Sequence, residues 1–307
     1  MTTILSSKEI HEWRETIDKT LLKQSEETIN NIVSKYSKAK IMWDKLRYDS
    51  FMSAQWDMSD YIAVTKMGYN AHGDIHAKIV TANALKMLDL LLEAGVQPDI
   101  VEAKLETSES GNPVEGGDLD DAHLIILLSG LLHDIGNQVN RSDHNLHSEI
   151  LAVPLLDKFL TQIYPDERKR GLIRGFILHC IYTHMEFLQS YTLEASLIKV
   201  ADGTDMTKGR GRTPFEMGNV NIHCVSAMSI GSVEIAKGKE KPIGITINMT
   251  NSAGVFQVEE ILYKKLAAGV AGKYIEITAQ TVPEKPSIDE RIIYKITVEK
   301  DKFIHTR

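Results

Sequence analysis

The chain has 307 residues, 43% of them hydrophobic and 25% charged, with a formal net charge of −7. That is enough apolar chain for a sizeable core in one large or two smaller domains. The excess of acid argues against a protein that coats nucleic acid, which would carry a basic patch. Two cysteines, Cys180 and Cys224, make no disulfide framework and fit a reducing compartment. The first twenty residues carry Lys8, Glu9, Glu15, Asp18 and Lys19 in place of a signal-type apolar stretch. No apolar run approaches the roughly 20 residues that span a bilayer. The expectation is a cytoplasmic protein without a membrane or nucleic-acid partner, assembling as a homo-oligomer.

Residues 1–45 read as one or two helices, with Ile10, Trp13, Ile17, Leu21 and Leu22 at helical spacing, and suggest a packing or dimerisation arm. In 75–96 the positions Ile79, Ala82, Leu85, Leu88 and Leu92 mark one face of a helix that Gly95 can stop. Residues 106–119, rich in Ser, Gly and acid, read as a surface loop. Helical patterns follow at 120–135, 146–162, 166–188 and 193–206. The segment 207–220, with Gly209, Gly211, Pro214 and Gly218, should be irregular.

The periodicity then changes. Val233 and Ile235 alternate with polar neighbours, and Gly238-Lys239 offers a turn. Ile243, Ile245, Ile247 and Met249 alternate again, which is a hairpin pattern. Residues 255–266 read as a helix. Ile275 with Ile277, and Ile292, Tyr294, Ile296 and Val298, read as two further strands. The expected fold class is α+β overall. An N-terminal arm (1–45) and an all-α body (46–230) precede a small α+β domain with an antiparallel sheet (231–307), suited to regulation or dimerisation.

Chemistry concentrates in the helical body. Leu131-Leu132-His133-Asp134-Ile135-Gly136 sets a histidine beside an aspartate at the end of an almost wholly apolar run. An unpaired carboxylate in an apolar setting costs several kcal/mol or protonates, and imidazole is the commonest metal ligand. Of eleven histidines, seven stand in pairs or beside an acid between residues 72 and 184. His72 and His76 are four apart and can share a helix face. His144 and His147 are three apart. His179 and His184 are five apart and diverge by about 140° on a helix. Asp202 closes another apolar stretch.

The succession His76, His133-Asp134, His147, His184, Asp202 resembles the HD superfamily of metal-dependent phosphohydrolases. Ile181-Tyr182-Thr183-His184 is similar to that family's later histidine motif, and Val200-Ala201-Asp202 to its closing one; the likeness covers roughly residues 65–210. It implies a core metal set of His76, His133, Asp134 and Asp202. In two-metal members His147 and His184 would be added, with Asp134 bridging. His133 and Asp134 would be the catalytic pair.

The resemblance further implies hydrolysis of a phosphoester, a nucleotide or another small phosphorylated metabolite, by a water that a divalent metal activates. Mixed imidazole and carboxylate ligands favour one or two ions of Mn, Fe, Co, Ni or Zn over Mg. His72, His144, Arg141, Lys208, Arg210 and Arg212 are candidate substrate contacts, guanidinium groups being well shaped for phosphate. Two other functions compete. One is a di-iron HD-type oxygenase, and the other is a non-catalytic module that binds a nucleotide and signals through the C-terminal domain.

Overall fold

The computed structural model describes residues 7–105, 114–206, 222–282, 295–299 and 302–306. Helix α6 (Leu119–Leu132) is the axis of the molecule. Every side chain from Asp121 to Leu132 is buried, as expected of a helix that is apolar all round. Its start is fixed by a capping box, in which the Asp118 side chain accepts from Asp121 N and Asp121 reciprocates at Asp118 N.

Against it pack α2 (Ser37–Leu46), α4 (Asp74–Glu93), the short α5 (Asp99–Glu102), α8 (Glu167–Tyr182) and α9 (Leu193–Thr204), while α1 (Ser7–Val33) packs on α4, α7 (His144–Leu160) on α8, and α3 (Ser50–Asp60) on the turn after α6. A π-helical turn, Tyr61–Lys66, continues α3. A two-residue pair, β1 (Lys104–Leu105) and β2 (Val114–Glu115), lies between α5 and α6. Gly95 ends α4 as its position suggested: it takes φ +77°, and Val96 N donates to Leu91 O at 2.9 Å.

The N-terminal segment is part of the body. Ile29, Ile32, Val33, Ala39, Met42 and Trp43 share one core with α4 and α6. No helix among the described residues is long and apolar enough to cross a membrane.

After α10 (Ile222–Met228) come β3 (Ile230–Lys237) and β4 (Ile243–Met249). Next is a helical run, α11, built from Val255–Gln257, a π segment Val258–Tyr263 and Lys264–Ala267. β5 (Ile275–Thr281), β6 (Lys295–Glu299) and β7 (Lys302–Thr306) complete the chain. The sheet order is β3-β4-β5-β6-β7.

The antiparallel sheet expected from the sequence is mixed: β3-β4, β5-β6 and β6-β7 pair antiparallel, and one pairing departs from the expectation. β4 and β5 pair in parallel, Ile243 beside Ile275 and Ile247 beside Ala279. The physical reason is α11, since parallel neighbours need a crossover of a dozen or so residues and a helix supplies it. The strand expected around Ile292 to Val298 is β6, with Ile292 and Tyr294 outside the described residues. β7 is an additional hairpin partner. Alternate residues of β4 and β5 face inward and join the same core as the helices.

Several contacts dock the C-terminal segment onto α9, two of them at its first turns. Lys199 Nζ donates to the carbonyls of Leu188 and Ala268, and Ala271 N donates to Ser196 Oγ at 2.9 Å.

Candidate metal centre

α6 ends at Leu132, and His133 and Asp134 turn off its last carbonyls. The turn is held from several sides. Trp56 Nε1 donates to Leu131 O at 2.9 Å, Asn137 Nδ2 to Asp134 O at 2.9 Å, and Gly136 N to Ser148 Oγ at 2.8 Å. Gly136 is required by close approach. A Cβ there would lie 2.1 Å from His144 O and 2.4 Å from Ser148 N, so only glycine lets the first turn of α7 come this near.

Four buried imidazoles converge on Asp134 from separate elements: His76 on α4, His133 after α6, His144 opening α7 and His184 just beyond α8. In three of them Nδ1 faces a backbone carbonyl three residues back. His133 reaches Gly130 O at 2.8 Å, His144 reaches Arg141 O at 3.0 Å, and His184 reaches Ile181 O at 2.6 Å. A carbonyl only accepts, so Nδ1 carries the proton and Nε2 presents its lone pair. His76 does the same through a carboxylate, its Nδ1 lying 2.6 Å from Asp205 Oδ2.

The four Nε2 atoms then meet each other and the acids. His76 and His133 Nε2 are 3.2 Å apart, and those of His144 and His184 are 3.1 Å apart. Asp134 divides its oxygens between the pairs, with Oδ2 3.1 Å from His76 Nε2 and Oδ1 3.2 Å from His144 Nε2. Asp202 Oδ1 lies 3.3 Å from His76 Nε2.

The ligand atoms fall into two groups, His76 with His133 and Asp202, and Asp134 with His144 and His184. Within each group they lie within 4.8 Å of one another. Each group can hold a metal ion. The donor chemistry fits this, because both oxygens of Asp134 are buried without a hydrogen-bond partner among the described residues. A buried carboxylate facing imidazole lone pairs is stabilised by a cation, and imidazole with carboxylate is a ligand set for first-row transition metals and zinc.

Protonation states agree. Burial would raise the Asp134 carboxyl, but positive charge on the surrounding imidazoles whenever they are protonated, His133 and His72 foremost, pulls it well below the ordinary range. Burial would raise Asp202 too, but Lys265, His76 and His133 together hold it well below the ordinary carboxylate range. Burial lowers His133, and lowers His184 far below the usual imidazole value. Ionised carboxylates with neutral imidazoles are the forms that coordinate a metal.

Above the centre lies a cleft of about 430 Å³ whose walls include Tyr69, Asn70, His72, Arg141, Gln257 and Lys265. The Arg141 guanidinium lies 3.1 Å from Asn137 Oδ1 and 3.2 Å from His144 Nε2, with its carbon 5.8 Å from the centre of the Tyr69 ring.

The structure thus brings together His76, His133, Asp134, His184 and Asp202, and sets His72 and Arg141 on the cleft. His144, expected as a substrate contact, stands where the motif match put His147. His147 is in neither group, and its buried Nδ1 has no partner among the described residues. The cause is local: Asp143 takes φ +56°, so α7 begins at His144 and aims that ring at Asp134. His147 stands about 4.5 Å further along the axis.

His179 is turned away, its Nε2 accepting from Tyr191 N at 3.1 Å. Lys208, Arg210 and Arg212 lie outside the described residues. Sequence reasoning missed Asp205 and Lys265. Asp205 had a readable signal, an acid three residues after Asp202 at the same helix end.

No family model and no solved structure matches the chain. It is 40% identical over 251 residues to the uncharacterized protein MJ1020 of Methanocaldococcus jannaschii, an alignment that spans 82% of this chain and 92% of that protein. At that identity and coverage, this chain and MJ1020 belong to one protein family.

Proposed function

We propose that this protein is a metal-dependent phosphohydrolase of the HD type, cleaving the phosphoester of a nucleotide or another small phosphorylated metabolite. The observation that carries the reading is Asp134, a buried carboxylate without hydrogen-bond partners among the described residues, with each oxygen turned to a different pair of imidazole lone pairs. His76, His133 and Asp202 would hold one ion and His144 and His184 the other, with Asp134 serving both. Two divalent ions in such a site supply a water of lowered pKa and take up charge on phosphoryl oxygens.

The chain's own residues do the positioning. Three backbone carbonyls and the Asp205 carboxylate fix the ring orientations. Arg141 stands on the cleft wall, where its guanidinium can take a phosphate in the two-pronged manner. The cleft's size suits a small-molecule substrate.

The test is elemental analysis of the purified protein, then a screen of phosphomonoesters, phosphodiesters and nucleoside triphosphates after reconstitution with Mn²⁺ or Ni²⁺. Oxygen uptake is followed in parallel. Metal-dependent hydrolysis lost in His133→Ala and Asp134→Ala is the expected result. Hydrolysis that survives both substitutions, or oxygen consumption without phosphate release, would overturn it.

A further inference from the structure

Lys265 belongs to α11, in the C-terminal half, yet only 6% of it is exposed, and its ammonium ends inside the helical body. Nζ donates to Asp202 Oδ2 at 2.7 Å and to the His184 carbonyl at 2.8 Å. It therefore touches a side chain of one candidate metal group and the backbone of a residue from the other. Its neighbour Lys264 points outward and pairs with Glu260 one turn away, so the inward placement is particular to Lys265.

The delivery is fixed by built contacts. The carbonyl of Ala268, just beyond α11, accepts from Lys199 Nζ at 2.7 Å and from Ser190 N at 2.9 Å. These tie the end of the helix to α9 and to the loop before it.

Burying an ammonium costs several kcal/mol unless good partners offset it. The partners found here are those whose placement decides the geometry of the centre. With Oδ2 taken by Lys265, Asp202 presents Oδ1 toward His76 Nε2. Released, the carboxylate can turn and offer both oxygens.

We propose that Lys265 is a positioning residue through which the C-terminal half completes the metal centre, holding Asp202 to a single ligating oxygen and setting the spacing between the two groups. This rests on the metal-centre reading above. It assigns the C-terminal half a structural part in the site, in place of a detachable regulatory one.

The experiment uses the full chain, stripped of metal by chelation and titrated with Mn²⁺, with free Mn²⁺ counted from its solution paramagnetic resonance signal. Wild type is expected to take up two equivalents. In Lys265→Met one binding step should weaken tenfold or more, the size typical of a lost outer contact to a metal ligand. The other step should stay within threefold. Lys265→Arg should recover most of the loss, and Lys264→Met should match wild type.

If Lys265→Met fails to fold by circular dichroism, Lys265→Gln is read by the same thresholds. Both steps within threefold of wild type would overturn the proposal. So would tighter binding, which removal of a merely repelling charge would produce. A wild type that binds no Mn²⁺ removes the metal reading itself, and with it this one.

Discussion

Glu194 near the start of α9 should make the fold weaken as pH rises through neutrality. Its Oε1 accepts from Ile100 N at 2.9 Å, but Oε2 is buried without a hydrogen-bond partner among the described residues. Burial lifts the carboxyl from 4.5 to about 7, and the charge of nearby Asp99 acts in the same sense. An acid whose folded pKa is raised contributes its full stability below the unfolded value and loses it as pH climbs through the folded one. Each pKa unit corresponds to about 1.4 kcal/mol. The shift is then worth on the order of 3 kcal/mol, of which roughly 2–3 kcal/mol falls between pH 5 and pH 8.5. Glu194→Gln keeps the acceptor for Ile100 and removes the titration. Urea unfolding across that pH range should give curves for wild type and Glu194→Gln that nearly meet at pH 5 and diverge by that amount at pH 8.5, with the variant the more stable. Other titrating groups act on both proteins and cancel. Stability profiles that stay parallel across the range would refute the argument.

The site gives three more expectations. His144→Ala should abolish binding of one of two metal ions and cut turnover at least a hundredfold, whereas His147→Ala should stay within a few-fold of wild type; the opposite order would restore His147 as the ligand. Asp205→Asn leaves His76 in place but weakens the 2.6 Å contact that orients its ring, so metal affinity measured by calorimetry should fall about 10–100-fold, and unchanged affinity would show that the contact does not matter. Gly136→Ala puts a methyl group 2.1 Å from His144 O. It should cost about 1–3 kcal/mol in thermal or urea unfolding and also weaken the metal step that depends on His144, and a variant as stable as wild type with intact binding would refute the packing account.

What the sequence could disclose followed the range of the forces involved. The His133-Asp134 turn was legible because its signal is local, an ionisable pair closing an apolar helix. α4, α7, α8 and α9 were legible from periodicity alone. The choice between His144 and His147 was not, because it hangs on where α7 begins. A single left-handed residue, Asp143, sets that start, and helix boundaries are uncertain by a residue or two on pattern alone.

The parallel pairing of β4 and β5 was readable in principle. Strand, helix, strand is the order that a parallel crossover requires, but the hairpin pattern of β3 and β4 was extended to the whole sheet. Lys265 lies at the far limit. Nothing near it in the chain distinguishes it from Lys264, and its partners Asp202 and His184 lie 63 and 81 residues away. Only the docking of α11 beside α9, held by Lys199 at the Ala268 carbonyl, turns one of two adjacent lysines into part of the centre. A ligand set repeated along helices announces itself in sequence, whereas the residues that aim those ligands come from whatever element happens to pack against them. Aspartate and lysine at such positions are read as ordinary surface charge until the packing is known.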